Sequence, residues 1–473
     1  MNASTEALRA RLDSPNNPSR GSFAIVFALA TAGVTAAIMQ TVVVPLLGQL
    51  PDIFSTSPSN TSWVVTTTLL VSAISTPVLG RLGDMFGKKR VMLGCSASMV
   101  AGSLLCMFST SISLMITGRA LQGVGMAMIA LGVSAMRDLL PAEKLNSSIA
   151  LMSASLGTGA ALGLPLSAFI IQLTNWQTMF AIVSVLSLLV GILILALIPR
   201  NDPEGVGTFD YLGGVGLSVG LVTLLLVISK GNDWGWSSPL VVTLACTAVI
   251  VLITWGYWQL RAPHPLVNLH LARRRRLMLT NGASIIIGFA MYGQALIAPQ
   301  LLQAPTSAGG LGQSMLTAGL YMIPGGAMML LVSPISGRLS TVKGPKVSLV
   351  AGACVIAIGY AVGLALMHTP WGLSVTVAII MTGVALAYGA MPILIMSEVP
   401  VSSTAVANGV NTVMRAIGCS VAAAVIGAVL AVSAGTQGFP TETGFRVCLI
   451  FSAVTALAAA AVAATIPKNP TEA

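Results

Sequence analysis

Charge is scarce in this 473-residue chain: only 8 % of its residues are Asp, Glu, Lys or Arg, whereas soluble domains carry about 25 %. So few charges cannot build a water-facing surface over most of the molecule. Acids are scarcer still: all thirteen fall in tails, in loops or at the ends of apolar stretches. The six cysteines (Cys95, Cys106, Cys246, Cys354, Cys419, Cys448) all lie inside apolar stretches. They lack the loop positions and paired spacings that disulfides or metal sites need, and read as inert core residues. His264, His270 and His368 are scattered through loop ends, so no metal site is expected. No glycine-rich loop precedes a Lys-Ser or Lys-Thr pair, which argues against a built-in ATPase. Nothing suggests an enzyme or a bound cofactor.

Apolar residues are abundant, at 55 % of the chain, with a mean hydropathy of +0.90. A membrane-spanning helix needs about 20 apolar residues. Apolar stretches separated by Gly, Pro or charged clusters begin near residues 22, 61, 90, 113, 146, 176, 209, 238, 277, 311, 345, 371, 402 and 442, giving fourteen expected spans. The first, from about Phe23 to Leu47, exceeds the roughly 7 to 15 residues of a signal-peptide core and reads as a retained span. With the amino terminus inside, nineteen of the 23 Lys and Arg residues fall on the cytoplasmic side, Lys230 and Arg446 fall outside, and Arg119 and Arg415 lie within spans. That asymmetry is what the positive-inside rule predicts for an even number of spans in the cell membrane, with both termini cytoplasmic. The net charge of +10 therefore reads as topology rather than nucleic-acid binding, and the run Arg273 to Arg276 as an anchor touching lipid headgroups.

An internal repeat supports this layout. Pro77-Val-Leu-Gly80-Arg81-Leu82 followed by Gly87-Lys88 returns as Pro334-Ile-Ser-Gly337-Arg338-Leu339 followed by Gly344-Pro345-Lys346. The offset of 257 residues places the copies after spans two and ten. Six helices, an insert of two and six more are implied. The expected organisation is a tail at 1–21, a six-helix bundle at 22–200, a two-helix insert at 201–262, a second bundle at 263–467 and a tail at 468–473. Parallel repeats of this kind are typical of rocking transporters.

The first copy sits in Gly80-Arg81-Leu82-Gly83-Asp84-Met85-Phe86-Gly87-Lys88-Lys89-Arg90, which resembles the loop signature of the major facilitator superfamily. In the second copy Thr341 replaces the acid. The resemblance implies an all-α membrane fold of two pseudo-symmetric halves, fourteen spans as 6+2+6. It also implies that Asp84 pairs with a base and with a helix start of the opposite half, near Ser402 to Thr404, latching the cytoplasmic gate. An acid at a helix N-terminus gains about 0.3 to 1 kcal/mol from the dipole. The plainer alternative makes Asp84 a solvated loop acid.

Arg119-Ala-Leu-Gln122-Gly123-Val-Gly125 resembles the fourth-helix motif of the same superfamily, which implies a part in proton coupling for Arg119, with Gln122 and Asp84. An arginine inside a span costs roughly 2.5 to 3.5 kcal/mol on insertion scales, so it should face a cavity or a partner; otherwise it snorkels to the outer headgroups. Ser155, Gly159, Gly163 and Ser167, beside Pro165, give the fifth span a small face at four-residue spacing. That face resembles the superfamily's antiporter signature, with departures at Leu164-Pro165 and Ser167-Ala168, and it serves equally as ordinary helix packing. The two extra helices, and Asn408-Gly409-Val-Asn411 with Arg415-Ala-Ile-Gly418, resemble the fourteen-span drug and proton antiporter branch. That branch usually carries an aspartate in the first helix, and Gly33 to Pro45 contains none.

A substrate cavity is expected to be lined by Gln40, Tyr292, Gln294, Tyr321, Tyr388, Asn411 and Arg415, with Gln122 also facing it. Pro299, Pro324 and Pro392 break helices beside these residues, as in many transporter sites. Coupling then uses Asp84, Asp138 or Glu398 near the cytoplasmic face, or the two arginines serve an anionic or neutral substrate without a buried carboxylate. The expected function is proton-coupled export of amphipathic drugs or secreted metabolites by alternating access, by a monomer whose partners are the substrate, protons and lipid. The alternatives are uptake or uniport of a small metabolite, an anionic one included, and a non-transporting membrane sensor.

Overall fold

In lipid every backbone N–H and C=O must be satisfied within its own segment, which leaves the helix as the economical way to cross. The computed structural model describes residues 18–47, 49–199, 208–433 and 440–467, and its described secondary structure is helical apart from one isolated bridge residue. The expected tails lie outside the described residues, except that 18–21 open the first helix. Thirteen described helical segments are long and apolar enough to span a membrane. Adding Ala142–Leu173, a helix of 32 residues, gives fourteen.

In chain order these are α1 (Pro18–Thr41), α2 (Pro58–Phe86), α3 (Lys88–Met107), α4 (Ile112–Leu139) and α5 (Ala142–Leu173). Then follow α6 (Trp176–Leu197), α7 (Tyr211–Trp234), α8 (Pro239–Arg261), α9 (Arg275–Gln303) and α10 (Met315–Val342). The last four are α11 (Pro345–Leu366), α12 (Pro370–Met396), α13 (Thr404–Val432) and α14 (Glu442–Ala464). Successive spans alternate in direction, so each even-numbered helix begins at the end of the molecule away from the Lys/Arg clusters.

The helix starts differ between the two ends. Ser57, Ser111, Asn175, Ser238, Ser314, Thr369 and Thr441 cap the seven even-numbered helices, each accepting from an N–H three residues on. Such a cap is worth about 1 kcal/mol. At the basic end α3, α5, α9, α11 and α13 begin without a side-chain cap, whereas α7 is capped there by Asp210.

Two apolar cores form. One draws on α1 to α6, with Leu29, Met39, Met92, Met115 and Phe180; the other draws on α9 to α14, with Ile287, Tyr360, Ile380 and Phe445. The pair α7 and α8 lies outside both: Leu217 and Leu221 of α7 pack with Val406 and Val413 of α13, and Val78 of α2 borders the same cluster.

Asp210 ties this pair together. Its carboxylate accepts from the Gly213 N–H at 2.7 Å, Trp258 Nε1 at 3.0 Å, Gln259 Nε2 at 2.7 Å and the Leu266 N–H at 3.3 Å. Partial burial alone would raise its pKa, but these donors outweigh that and hold it below the ordinary value of 3.8. A depressed acid stabilises the fold fully above its ordinary pKa, and that stabilisation fades as pH falls through the depressed one. Asp210→Ala is therefore expected to cost about 1 kcal/mol for the lost cap. The gap from wild type should stay flat from pH 7 to 5 and close only below the ordinary aspartate range. Thermal unfolding in nanodiscs against pH checks this; a gap that closes near pH 6 would contradict it.

Candidate functional site at the seam between the halves

The two halves cross by glycine faces at the basic end. A Cβ on Gly80 of α2 would fall 2.9 Å from the Ala405 carbonyl oxygen, and one on Gly409 of α13 would fall 2.9 Å from Pro77 Cα. The repeat generates the matching crossing: a Cβ on Gly337 of α10 would fall 2.5 Å from Ser147 Cα of α5. In each case the second helix of one half lies on the opening turns of the fifth helix of the other.

The two crossings differ in charge. Thr341 accepts from Asn146 Nδ2 at 3.0 Å and donates to the Gly337 carbonyl at 3.0 Å, a neutral contact. Asp84, its counterpart, is 4 % exposed and is the only fully buried acid among the described residues. Neither of its oxygens has a well-aligned hydrogen-bond donor. The Val406 amide, in the first turn of uncapped α13, is directed toward it, with Lys88 and Arg81 as the nearest positive charges.

Arg137 of α4 reinforces the same contact, donating to Thr404 Oγ1 and to the Val399 carbonyl at 3.2 Å. It was not legible in the sequence as a gate residue; the only hint was a basic residue beside Asp138 at the end of a span. Two other acids near this end are paired with bases, Asp138 with Lys88, and Glu398 with Arg276 at 3.2 Å and Arg274 at 3.7 Å. Lys89 donates to the Leu195 carbonyl at 2.8 Å, while Arg90 and Arg338 are exposed. Gly87, with φ of 93°, makes the turn from α2 to α3, a region that favours glycine. A cavity of about 170 Å³ opens beside the crossing, with Arg81, Asn268, Asn281 and Ser403 in its wall.

Arg119 lies toward the other end and has no exposure at all. Its guanidinium donates to the Met39 carbonyl of α1 at 2.6 Å, the Val64 carbonyl of α2 at 3.1 Å and Gln122 Oε1 at 2.6 Å, and Gln122 Nε2 donates to Ser103 Oγ at 2.9 Å. One nitrogen, Nη2, is sealed in without a partner. The structure thus turns Arg119 and Gln122 into the interior of the first half, with Gln122 1 % exposed, neither snorkelling outward nor grouped with Asp84. The packing of three helices fixes that orientation, and span-level reading has no access to it.

Arg415 occupies the middle of α13. Gly288 of α9 packs directly on its backbone, a Cβ there falling 2.6 Å from the Arg415 carbonyl. The guanidinium lies 4.7 Å from the centre of the Tyr388 ring and donates to Thr412 Oγ1 at 3.1 Å. One turn before it, Asn411 donates to Asn281 Oδ1 at 2.9 Å and Ser284 Oγ at 2.6 Å. Tyr292 is half-buried one turn beyond Gly288. Gln294 is buried against Met322 Sδ, and Tyr321 lies edge-on to Trp371, 5.3 Å between centroids. Gln40 is half-buried at the end of α1. Of the expected cavity residues, Tyr388 and Arg415 are in contact, with Tyr292 and Asn411 nearby through α9 and Cys419; Gln294 and Tyr321 have other partners.

The small face of α5 packs on α1: a Cβ on Gly159 would fall 2.5 Å from the Val34 carbonyl, and Gly163 and Ser155 meet Thr41 and Gly33 in the same way. A Cβ on Gly319 of α10 would fall 3.5 Å from Pro165 Cα, an ordinary contact, and Ser167 is buried. The side chains of Leu164 and Ala168, where the fifth-helix resemblance breaks, lie outside the described ones.

Two repeated helical halves, crossing through glycine faces around buried polar groups, define a membrane transporter. The family comparison gives the same class: the Major Facilitator Superfamily model matches residues 29–423, and the chain belongs to that superfamily, whose members are transporters rather than enzymes. The chain is 26 % identical over 388 residues to the multidrug resistance protein Stp of Mycobacterium tuberculosis, covering 81 % of this chain and 71 % of that one. It is 25 % identical over 420 residues to the tetracenomycin C resistance and export protein of Streptomyces glaucescens, covering 87 % and 76 %. Among solved structures it shares the fold of the proton:xylose symporter XylE, with a TM-score of 0.64 at 13 % identity over 95 % of this chain and 96 % of that one. The human organic anion transporter MFSD10 also superposes with a TM-score of 0.64, at 12 % identity over 93 % and 99 %.

Proposed function

We propose that the protein is a proton-coupled exporter of amphipathic small molecules, drugs or secreted metabolites, working by alternating access. The observation that carries this reading is the asymmetry of the two basic-end crossings: one is neutral through Thr341, and the other holds the buried, titratable Asp84 against the start of α13. An ionised acid facing a helix N-terminus gains up to about 2 kcal/mol in partly buried geometry, roughly thirtyfold in an equilibrium. Sealing the charged carboxylate away from water outweighs that gain, so protonation favours the closed crossing and loss of the proton biases it toward opening. Asp138 and Glu398 already have cationic partners, which favours Asp84 as the coupling acid. The names carried by the relatives support export as the direction.

In this reading the basic end and both termini are cytoplasmic, and of the expected headgroup anchor Arg273 to Arg276 the first three meet lipid, whereas Arg276 is buried against Glu398. Residues 22–200 and 263–467 rock as two halves of one monomer around the insert at 201–262, flanked by tails at 1–21 and 468–473. Tyr292, Tyr388, Asn411 and Arg415 line the substrate site; Gln40, Gln294 and Tyr321 border the path.

The test is proton movement in proteoliposomes carrying an internal pH dye, with an imposed gradient and a panel of cationic, neutral and anionic amphiphiles. Wild type is expected to dissipate the gradient on substrate addition. Asp84→Asn, which keeps shape and removes the titratable charge, is expected to slow this at least tenfold at unchanged membrane abundance. Proton-coupled flux by Asp84→Asn equal to wild type would remove Asp84 from the mechanism, and a silent dye beside measurable uptake of labelled compound would remove proton coupling.

A further inference from the structure

Arg119 and Arg415, the two arginines deep within the spans, are treated differently by their surroundings. Arg119 spends its donors on helix carbonyls and a glutamine, and its spare nitrogen is sealed from solvent. Arg415 donates only to Thr412 among the described residues. None of its nitrogens is a sealed, unpartnered atom, and the residue keeps 7 % exposure. A guanidinium has five N–H donors in a planar fork, so the donors of Arg415 that Thr412 does not use are left accessible rather than sealed. No acid answers it: Asp84 lies at the α2–α13 crossing, while Asp138 and Glu398 are held by Lys88 and Arg276. Arg276, in the same half, has the carboxylate that Arg415 lacks.

The surroundings of the fork are aromatic and polar. The Tyr388 ring covers one face of the guanidinium at 4.7 Å. Cys419, one turn along, donates to the Gly288 carbonyl at 3.5 Å and is close to both Tyr292 and Tyr388. Gly288 and Tyr292 stand four apart on α9 and so share a face, which places Tyr292 one turn along from the Gly288–Arg415 contact, near Cys419. Neither tyrosine hydroxyl makes a hydrogen bond among the described residues.

From this arrangement, and resting on the export reading above, we infer that the substrate class is aromatic anions: planar compounds whose carboxylate, or an equivalent oxyanion, docks on the Arg415 fork while their ring packs beside Tyr292 and Tyr388. Three physical terms converge on it. A cation at mid-membrane depth costs roughly 2.5 to 3.5 kcal/mol on insertion scales and calls for a counter-charge, which the substrate supplies. The guanidinium fork matches a carboxylate in two parallel hydrogen bonds, and one already stacked on an aromatic ring is held ready for it. A cationic substrate would instead bring like charges together away from water, so the same residue that accepts anions rejects cations.

The experiment is equilibrium binding of three tritiated probes of one shape, 2-naphthoate, 2-naphthamide and 2-naphthylmethylammonium, to the full-length protein in nanodiscs. Wild type is expected to bind naphthoate at least tenfold more tightly than the amide and the ammonium compound more weakly than either. Arg415→Gln should level naphthoate with the amide, and Arg415→Lys, which keeps the charge without the fork, should restore part of the preference. Should the glutamine variant fail to fold, the wild-type ranking and the lysine variant decide the question. Absence of naphthoate binding, equal binding of the three probes by wild type, or a naphthoate preference undiminished in Arg415→Gln overturns the inference. Because the readout is binding, it is separate from the export reading, which stands or falls on dye-monitored flux: Asp84→Asn should lose flux yet keep the naphthoate preference.

Discussion

Gly80→Val is expected to reach the membrane at wild-type abundance and to transport at less than a tenth of the wild-type rate, held open at the basic end. The reason is local. Even a single Cβ at position 80 lies 2.9 Å from the Ala405 oxygen and 3.0 Å from its carbonyl carbon, and a backbone wall inside a helix cannot step aside as a side-chain tip can. Overpacking typically costs 1 to 3 kcal/mol, and that cost falls only on the state in which α2 and α13 touch. A bias of that size changes the ratio of two states about five- to 150-fold, enough to strand a transporter in one of them. Gly337→Val should act the same way at the opposite crossing, where Ser147 is the wall. Flux in proteoliposomes, with thiol-reagent labelling of a cysteine introduced at Ser403, checks both halves of the expectation. Wild-type flux with unchanged labelling would mean that the crossing seen here is not a gate.

Arg119→Ala should have the largest effect on the protein as a whole. The side chain joins α1, α2 and α4, and deleting it leaves the Met39 and Val64 carbonyls and Gln122 Oε1 without this donor in a site with no exposure. The Val64 carbonyl keeps the Thr68 hydroxyl at 3.2 Å, so the loss falls on the Met39 carbonyl and Gln122 Oε1; an orphaned buried polar atom costs about 1 to 3 kcal/mol, against a total stability that is seldom much more than ten. Lower abundance, a lower unfolding temperature and lost transport are expected together. Arg119→Lys should recover only part, since one ammonium on a flexible stem cannot reproduce a planar fork aimed at three acceptors. If Arg119→Ala kept wild-type stability and lost only the coupling between substrate and proton flux, the packing role would be excluded and a direct coupling role favoured.

Much of the architecture was legible in the sequence because hydropathy and charge bias are one-dimensional quantities. The span starts near 61, 113, 176, 238, 371 and 442 fall within a few residues of α2, α4, α6, α8, α12 and α14. The 257-residue repeat supplied the two-half plan, and the family match follows from the same motifs. Side-chain direction was not legible. Arg119 and Arg415 are both arginines within apolar stretches, yet one is locked between helices and the other keeps its unused donors accessible. Arg137 gave little signal, because its partners Val399 and Thr404 lie more than 260 residues away in the chain.

The sequence by itself determined that the chain crosses a membrane repeatedly, that its two ends differ in charge, and that it is built twice on one plan. It could do so because lipid allows so few backbone solutions that composition nearly dictates them. Only the tertiary structure decided which glycines are crossings, which acid is buried at a helix start of the other half, and which arginine lacks a counter-charge. Those properties belong to pairs of helices, and the distances that create them arise only once the halves pack together.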